Sequence, residues 1–125
     1  MKIAVTSTGT NLTAAVDPRF GRCAYFLFIE TENMSVEAVA NPSGELGGGA
    51  GIQSAKLASE RNVKAVLTGS CGPNAHQTLS AAGISVMTGL SGTVQEAIAQ
   101  YLSGELAAAS GPDVESHAGM RAQGK

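Results

Sequence analysis

Aromatic residues are scarce in this chain of 125 residues, and tryptophan is absent. Phe, Tyr and Trp make up 4% of the sequence, too few for the aromatic platform on which nucleic-acid bases stack. Charged residues reach only 14%, and eight basic against ten acidic side chains give a net charge of −2 without a long run of either sign. We therefore expect no nucleic-acid partner.

Long apolar stretches are also missing. No segment approaches the ~20 apolar residues that a membrane span needs. The sequence also lacks the basic start followed by an apolar stretch that is typical of a signal peptide. Hydrophobic residues nevertheless make up 43% of the chain, which suffices for one hydrophobic core at this length. We expect a cytoplasmic protein with one domain and no membrane partner.

Cysteine and histidine are too few for a metal site that the chain builds alone. The two cysteines, Cys23 and Cys71, are far apart in the sequence, and neither belongs to a Cys-x-x-Cys pair. The two histidines are His76 and His117. This composition argues against structural zinc, a thioredoxin-type redox centre and an iron–sulfur site with four thiolate ligands.

Hydrophobic periodicity predicts strands and helices in the order β-β-β-α-β-α-β-α. The strands are predicted over residues 2–7, 25–30, 35–40, 63–67 and 84–87. The helices are predicted over residues 52–61, from Pro73 to a stop at Gly83, and from Thr93, which has a capping-box glutamate at Glu96, to a stop at Gly104. We expect a single domain over residues 1–104 and a weakly ordered tail over residues 105–125.

The element order also predicts the topology. A tight turn joins the second and third strands, so they should form an antiparallel hairpin. The third, fourth and fifth strands are joined through helices and should run parallel through right-handed crossovers. If the first strand is parallel to the third, only the second is reversed. The prediction is an α/β fold with a mixed five-stranded sheet and helices on its faces.

In this topology five polar loops meet at one edge of the sheet. They cover residues 7–11, 17–23, 41–51, 68–73 and 88–92. Ligands of open α/β sheets bind outside the carboxyl ends of strands, and glycines let backbone N–H groups approach a ligand closely. Helix starts near Pro73 and Thr93 should add positive dipole ends. The edge is therefore predicted to receive an anion.

Two arginines are the candidate cationic residues at this edge. Arg19 and Arg22 flank Phe20, whose presence favours an anchored loop over a free one. The alternative is a solvated arginine pair partnered by Asp17. We expect Asp17 to orient an arginine or to cap a turn rather than to act as an acid.

Three further side chains are candidate metal ligands. Cys71 follows a buried strand and precedes a helix start, an environment that stabilises a thiolate, and the alternative is an inert core residue. Cys23 precedes the second strand, where a structural role is the commoner one. His76 lies in the first turns of its helix and faces either the cleft or solvent.

Four segments together resemble a known family. They are MKIAV at residues 1–5, DPRFGRCAYF at residues 17–26, the glycine loop before Ile52, and TGSCGPNA at residues 68–75. In this order, over about residues 1–104, they resemble the dinitrogenase iron-molybdenum cofactor biosynthesis family. The resemblance implies a ribonuclease H-like fold, in agreement with the predicted strand order. It also implies non-covalent or lightly ligated binding of an anionic metal–sulfur cluster, of Mo–Cu–S or Fe–Mo–S type.

The resemblance also implies which residues contact that cluster. Arg19 and Arg22 match the arginine–glycine loop of the family, and Gly69, Gly72 and Asn74 match its second loop, which here also contains Cys71. A ribonuclease H-like fold does not imply nuclease activity here, because the first, fourth and fifth strands carry no carboxylates to hold divalent ions.

The leading interpretation is a non-catalytic carrier or storage protein for a preformed anionic cluster, with cluster donor or acceptor proteins as partners. A cluster that brings its own sulfides needs only positive charge, N–H donors and a dry wall. One alternative is a phosphate- or nucleotide-binding module at the same edge, although residues 47–51 open a helix without a phosphate-loop lysine. Another is a thiol enzyme in which Cys71 acts with His76 as its base.

Overall fold

The part of the chain that the structure describes folds into a mixed five-stranded sheet with three helices. A computed structural model describes residues 1–41 and 50–104. In chain order the elements are β1 (Lys2–Ser7), β2 (Tyr25–Glu30), β3 (Ser35–Ala40), α1 (Ala50–Glu60), β4 (Ala65–Leu67), α2 (Pro73–Ala81), β5 (Ser85–Met87) and α3 (Val94–Leu102). The expected tail, residues 105–125, and most of the glycine loop, residues 42–49, lie outside the described residues.

The sheet has the predicted topology. Its strand order is β3-β2-β1-β4-β5, with β2 antiparallel to both of its neighbours and β1, β4 and β5 parallel. Ser7 at the end of β1 lies opposite Tyr25 at the start of β2, and Tyr25 lies opposite Ala40 at the end of β3. The ends of β1 and β3 and the start of β2 therefore share one edge, as expected.

Most element bounds agree with the predicted ones, and the differences are local. β1, β2 and β3 begin and end as predicted, whereas α1 begins earlier, at Ala50. β4 begins at Ala65 rather than at residue 63, although the Lys64 N–H already donates to the Lys2 carbonyl at 2.8 Å. The apolar alternation thus predicts the pairing well and the first residue of the short strands β4 and β5 less well.

Both faces of the sheet are covered by helices, as predicted. Alternate residues of β1 point to opposite faces, so that Ala4 joins one buried cluster while Ile3 and Val5 join another. The first cluster includes residues of α1 and α2, and the second includes Val94, Ala97 and Ile98 of α3. Within the described ranges, no helix is both long and apolar enough to cross a bilayer.

The N–H groups at the start of α3 already have hydrogen-bond partners within the protein. Thr93 and Glu96 form the predicted capping box, in which each side chain accepts a hydrogen bond from the backbone N–H of the other residue. The next two N–H groups, of Val94 and Gln95, donate to loop carbonyls that precede residue 16 at 2.9 and 3.0 Å. The N–H groups at this helix start are therefore already used within the protein, while the expectation that its dipole contributes to an anion site stays a prediction.

Removing the cap of α3 should weaken the fold. Thr93→Ala deletes the hydroxyl oxygen that lies 3.2 Å from the Glu96 nitrogen, so the free energy of unfolding in urea should fall by about 1 kcal/mol. Thr78→Ala inside α2 is the matched control, because the Thr78 hydroxyl donates back to the Asn74 carbonyl of its own helix and caps no helix start. Equal losses in the two variants would contradict the capping role.

Candidate functional site

A buried carboxylate closes the loop that carries both arginines. We call residues 17–24 the arginine loop. Asp17 is only 4% exposed; its Oδ1 accepts the Arg19 N–H at 3.1 Å and its Oδ2 accepts the Ala24 N–H at 3.2 Å. The two oxygens thus tie the third and last residues of the loop to its first. This confirms the expectation that Asp17 caps a turn.

The arginine loop is fastened to the loop between β4 and α2. Arg19 and Ser70 form an isolated parallel bridge, in which the Phe20 N–H donates to the Ser70 carbonyl at 3.1 Å. The Ser70 hydroxyl donates to the Pro18 carbonyl at 2.9 Å. Ser70 immediately precedes Cys71, so these bonds bring the arginine loop beside the segment that contains the other predicted site residues.

Two glycines permit this close approach. A Cβ on Gly69 would lie 2.6 Å from the Pro18 Cα, and one on Gly21 would lie 2.8 Å from the Gly51 Cα. Real Cβ atoms do not approach backbone atoms so closely, so any side chain would push the loops apart. Gly69 therefore serves the packing of two loops, and Gly21 lets the arginine loop rest on the start of α1.

Phe20 anchors the arginine loop in the core. Its side chain is 2% exposed and meets Phe26 of β2 edge to face, with ring centroids 5.6 Å apart. Arg19 and Arg22, which flank it in the sequence, are both exposed. The Arg19 Nε lies 3.7 Å from Asp17 Oδ1, yet 63% of the Arg19 side chain is exposed to solvent. The loop is anchored, as expected, while Arg19 keeps most of its surface open.

The start of α2 lacks the kind of cap that seals α3. Gly72 occupies the N-cap position, no side chain caps the helix, and Pro73 follows as the first helical residue. Gly72, Pro73 and Asn74 are all exposed. A helix start of this kind presents N–H groups and a positive dipole end to whatever lies in front of it.

Both cysteines are free and buried in the same cluster of core residues. Cys23 is 2% exposed and Cys71 is 1% exposed. Burial, followed by the nearby Asp17 charge, raises the pKa of the Cys23 thiol to about 12. Cys23 therefore stays protonated at neutral pH, which suits a core residue better than a metal ligand.

The remaining predicted ligand, His76, lies one turn into α2. It is half-buried; its N–H donates to the Gly72 carbonyl at 2.9 Å, and its Nδ1 lies 3.5 Å from the Ser80 hydroxyl. Within residues 1–41 and 50–104, no three His, Cys, Asp or Glu side chains gather closely enough to hold a metal ion.

Asn41 is a residue of this site that the sequence analysis missed. Its side-chain amide donates to the carbonyls of Gly21 and Cys23 at 3.1 and 3.0 Å, and its own N–H donates to the Ala24 carbonyl at 3.0 Å. Asn41 thus fastens the second half of the arginine loop to the end of β3. In the sequence, Asn41 before Pro42 signals only the end of a strand.

A methyl group at Gly69 should separate the two loops. Gly69→Ala places a carbon inside the contact distance of Pro18, so we expect the free energy of unfolding to fall by about 1–3 kcal/mol in urea titrations. Gly72→Ala is the matched control, since a Cβ there meets nothing within 4 Å among the described residues. Because glycine is preferred over alanine at an N-cap, this control should lose no more than about 1 kcal/mol. Equal effects would contradict the close packing of the loops.

Alkaline pH should reveal the buried Cys23 thiol. The thiol has an ordinary pKa of 9.0 and a folded-state pKa of about 12. Between these values the unfolded chain releases the proton and the folded chain keeps it, so the free energy of unfolding should fall as pH rises from about 9 to about 12. Below pH 9 the thiol should have no effect.

Cys23→Ala isolates this contribution, because the lysines and tyrosines that also titrate at alkaline pH are the same in both proteins. Urea titrations at pH 8, 9 and 10 should show a steeper fall for the unsubstituted protein than for Cys23→Ala. Parallel pH profiles would mean that the folded protein does not hold the Cys23 thiol in its neutral form.

Comparison with known proteins places this chain in a family. Residues 1–104 match the family described as dinitrogenase iron-molybdenum cofactor. The apo form of the orange protein from Desulfovibrio gigas is similar in structure, with a TM-score of 0.86 and 42% sequence identity over 89% of this chain and 94% of that one.

Two further proteins are similar over most of their length. A putative NifB protein from Thermotoga has a TM-score of 0.75 and 34% identity, covering 86% of this chain and 91% of its own. An uncharacterised protein from Methanocaldococcus jannaschii is 31% identical over 109 residues, which are 85% of this chain and 89% of that protein. The family match spans the whole described part of the chain and confirms the resemblance seen in the motifs. The chain belongs to the dinitrogenase iron-molybdenum cofactor family.

Proposed function

We propose that this protein is a non-catalytic carrier or storage protein for a preformed, anionic metal–sulfur cluster that contains molybdenum or iron. The cluster would lie between the arginine loop and the start of α2. The observation that carries the proposal is the bridge between Arg19 and Ser70, which holds the arginine loop beside the segment of Cys71, Gly72 and Asn74. Membership in a cofactor family supports the same role.

The charges near this bridge suit an anion. Arg19 and Arg22 lie in one loop with a single carboxylate, Asp17, which is buried and accepts two backbone N–H groups. Asp17 also lies 3.7 Å from the Arg19 Nε, so it offsets part of the Arg19 charge, while 63% of the Arg19 side chain remains exposed. Guanidinium groups offer forked donors to an anion with several acceptor atoms. The uncapped start of α2 adds positive potential on the same side of the sheet.

The side chains of the site support uptake of a finished cluster rather than its assembly on the chain. The described residues offer no group of three metal-binding side chains, and the Cys23 thiol is held neutral by burial. A cluster that carries its own sulfides, of Mo–Cu–S or Fe–Mo–S type, requires few protein ligands. Asn74, which is exposed, is the proposed close neighbour of the cluster. Cys71 lies in the same segment, but at 1% exposure its sulfur is no better placed for direct ligation than that of Cys23, at 2%.

The strand order supports a ribonuclease H-like assignment for this sheet, with β2 as its reversed strand. The proposal takes nothing from nuclease chemistry, because β1, β4 and β5 carry no acidic residue. The burial of Cys71, at 1% exposure, weighs against a thiol enzyme, since a nucleophilic sulfur must reach its substrate.

Cluster reconstitution tests the carrier function. The protein is mixed without oxygen with tetrathiomolybdate and Cu(I), or with extracted nitrogenase cofactor, and is then passed through a gel-filtration column. Visible absorbance and metal should elute with the protein. Arg19→Ala combined with Arg22→Ala should weaken uptake by about tenfold or more, because two charge-assisted contacts are lost.

A double variant of equal charge provides the control. Lys56 is an exposed residue of α1, and Lys64 lies before β4 at the opposite edge of the sheet. Lys56→Ala with Lys64→Ala should therefore leave uptake unchanged. Failure of the unsubstituted protein to take up either cluster at micromolar concentration would overturn the proposal. Thermal stabilisation by a nucleotide or inorganic phosphate, in the absence of cluster uptake, would favour a phosphate-binding module instead.

A further inference from the structure

A buried threonine of the sheet holds the first residue of the arginine loop. Thr6 belongs to β1 and is 0% exposed. Its backbone carbonyl accepts the Asp17 N–H at 2.9 Å, and its hydroxyl donates to the Asp17 carbonyl at 2.7 Å. Both polar groups of the Asp17 backbone are therefore bonded to one residue of β1.

A second buried hydroxyl determines where the Thr6 proton goes. The hydroxyl oxygens of Thr6 and Thr68 lie 2.8 Å apart, and Thr68, which follows β4 directly, is also 0% exposed. A threonine hydroxyl has a single proton to donate. Because a carbonyl can only accept, the Thr6 proton goes to Asp17, and the Thr68 hydroxyl donates to the Thr6 oxygen. The bonds thus run in one direction, from the end of β4 through β1 to the arginine loop.

Packing alone does not account for a hydroxyl at residue 6. The three residues before it, Ile3, Ala4 and Val5, are buried and apolar. Valine has nearly the shape of threonine and is equally suited to a strand. A buried hydroxyl costs free energy unless it is bonded, and the Thr6 hydroxyl donates to the loop and not to another strand. The hydroxyl therefore serves the loop rather than the core.

The Asp17 backbone decides where the Asp17 carboxylate lies. From that backbone, Oδ1 accepts the Arg19 N–H and Oδ2 accepts the Ala24 N–H. The Arg19 Nε lies 3.7 Å from Oδ1. A rotation of the Asp17 peptide would therefore displace both the loop backbone and the Arg19 guanidinium.

The geometry points to Thr6 as a positioning residue: its hydroxyl fixes the Asp17 peptide and thereby holds the Arg19 guanidinium where an anionic cluster meets it. This inference rests on the proposed carrier function and adds to it a residue that is too deeply buried to touch the ligand. Thr68 supports Thr6 from behind. Its loss should matter less, because Thr6 then keeps its own bond to Asp17.

Two substitutions at residue 6 separate the hydroxyl from its packing. Thr6→Val keeps the shape and removes the donor, whereas Thr6→Ser keeps the donor and leaves a space the size of a methyl group. Each variant is titrated with the cluster formed from tetrathiomolybdate and Cu(I), and its thermal midpoint is measured. Thr6→Val should bind about fivefold or more weakly, since one buried hydrogen bond is lost. Thr6→Ser should bind within about twofold of the unsubstituted protein, although its midpoint falls.

Two further variants complete the comparison. Thr68→Val should weaken cluster binding less than Thr6→Val does. Ile98→Val removes a methylene from the core on the α3 side of the sheet, so it should lower the midpoint and leave the affinity unchanged. Equal losses in Thr68→Val and Thr6→Val, or an affinity that follows the midpoint instead of the hydroxyl, would overturn the inference.

Hydrogen exchange in the protein without cluster separates this inference from the carrier function. The amides of Arg19 and Ala24 should exchange about fivefold or more faster in Thr6→Val and at nearly the original rate in Thr6→Ser. Unchanged exchange in Thr6→Val would overturn the inference whatever the protein binds. If exchange responds as expected but the unsubstituted protein takes up no cluster, the carrier function fails, and with it the part of the inference that concerns the cluster.

Discussion

The backbone of Pro18 lies against Gly69 with no side chain between them, and the place of the arginine loop depends on this contact. The Ser70 hydroxyl and carbonyl add two hydrogen bonds on either side of it. Asp17 closes the loop from within, where its buried carboxylate accepts two N–H groups that would otherwise lack partners. The close backbone packing and these hydrogen bonds thus stabilise the same arrangement, in which Arg19 lies next to the segment before α2.

The starts of α2 and α3 differ in the hydrogen-bond partners that their first N–H groups have within the protein. The start of α3 is closed by its capping box and by carbonyls of the loop after β1, so its donors serve the fold. The start of α2 has a glycine at the N-cap and no capping side chain. Of these two helix starts, that of α2, which has no side-chain cap, is the one that the proposed cluster site uses.

Local sequence patterns account for much of this fold. Alternation and turn residues predict the bounds of β1, β2 and β3, and the spacing of Thr93 and Glu96 predicts the cap of α3. The contacts between loops are different, because the need for glycine at residue 69 arises from Pro18, distant in sequence. The same holds for the sealing of α3 and for the bonds of Asn41 to the arginine loop. Sequence alone places Cys71 before a helix, but its burial depends on what packs around it.

Backbone amide chemical shifts give the most direct test of where the ligand lies. A uniformly ¹⁵N-labelled sample is titrated with the diamagnetic cluster formed from tetrathiomolybdate and Cu(I), and each assigned amide is followed. Shift changes should concentrate in the arginine loop, residues 17–24, and in residues 69–76. Shifts concentrated at the opposite edge, in the turn between β2 and β3, or at the sealed start of α3 would contradict this location of the ligand.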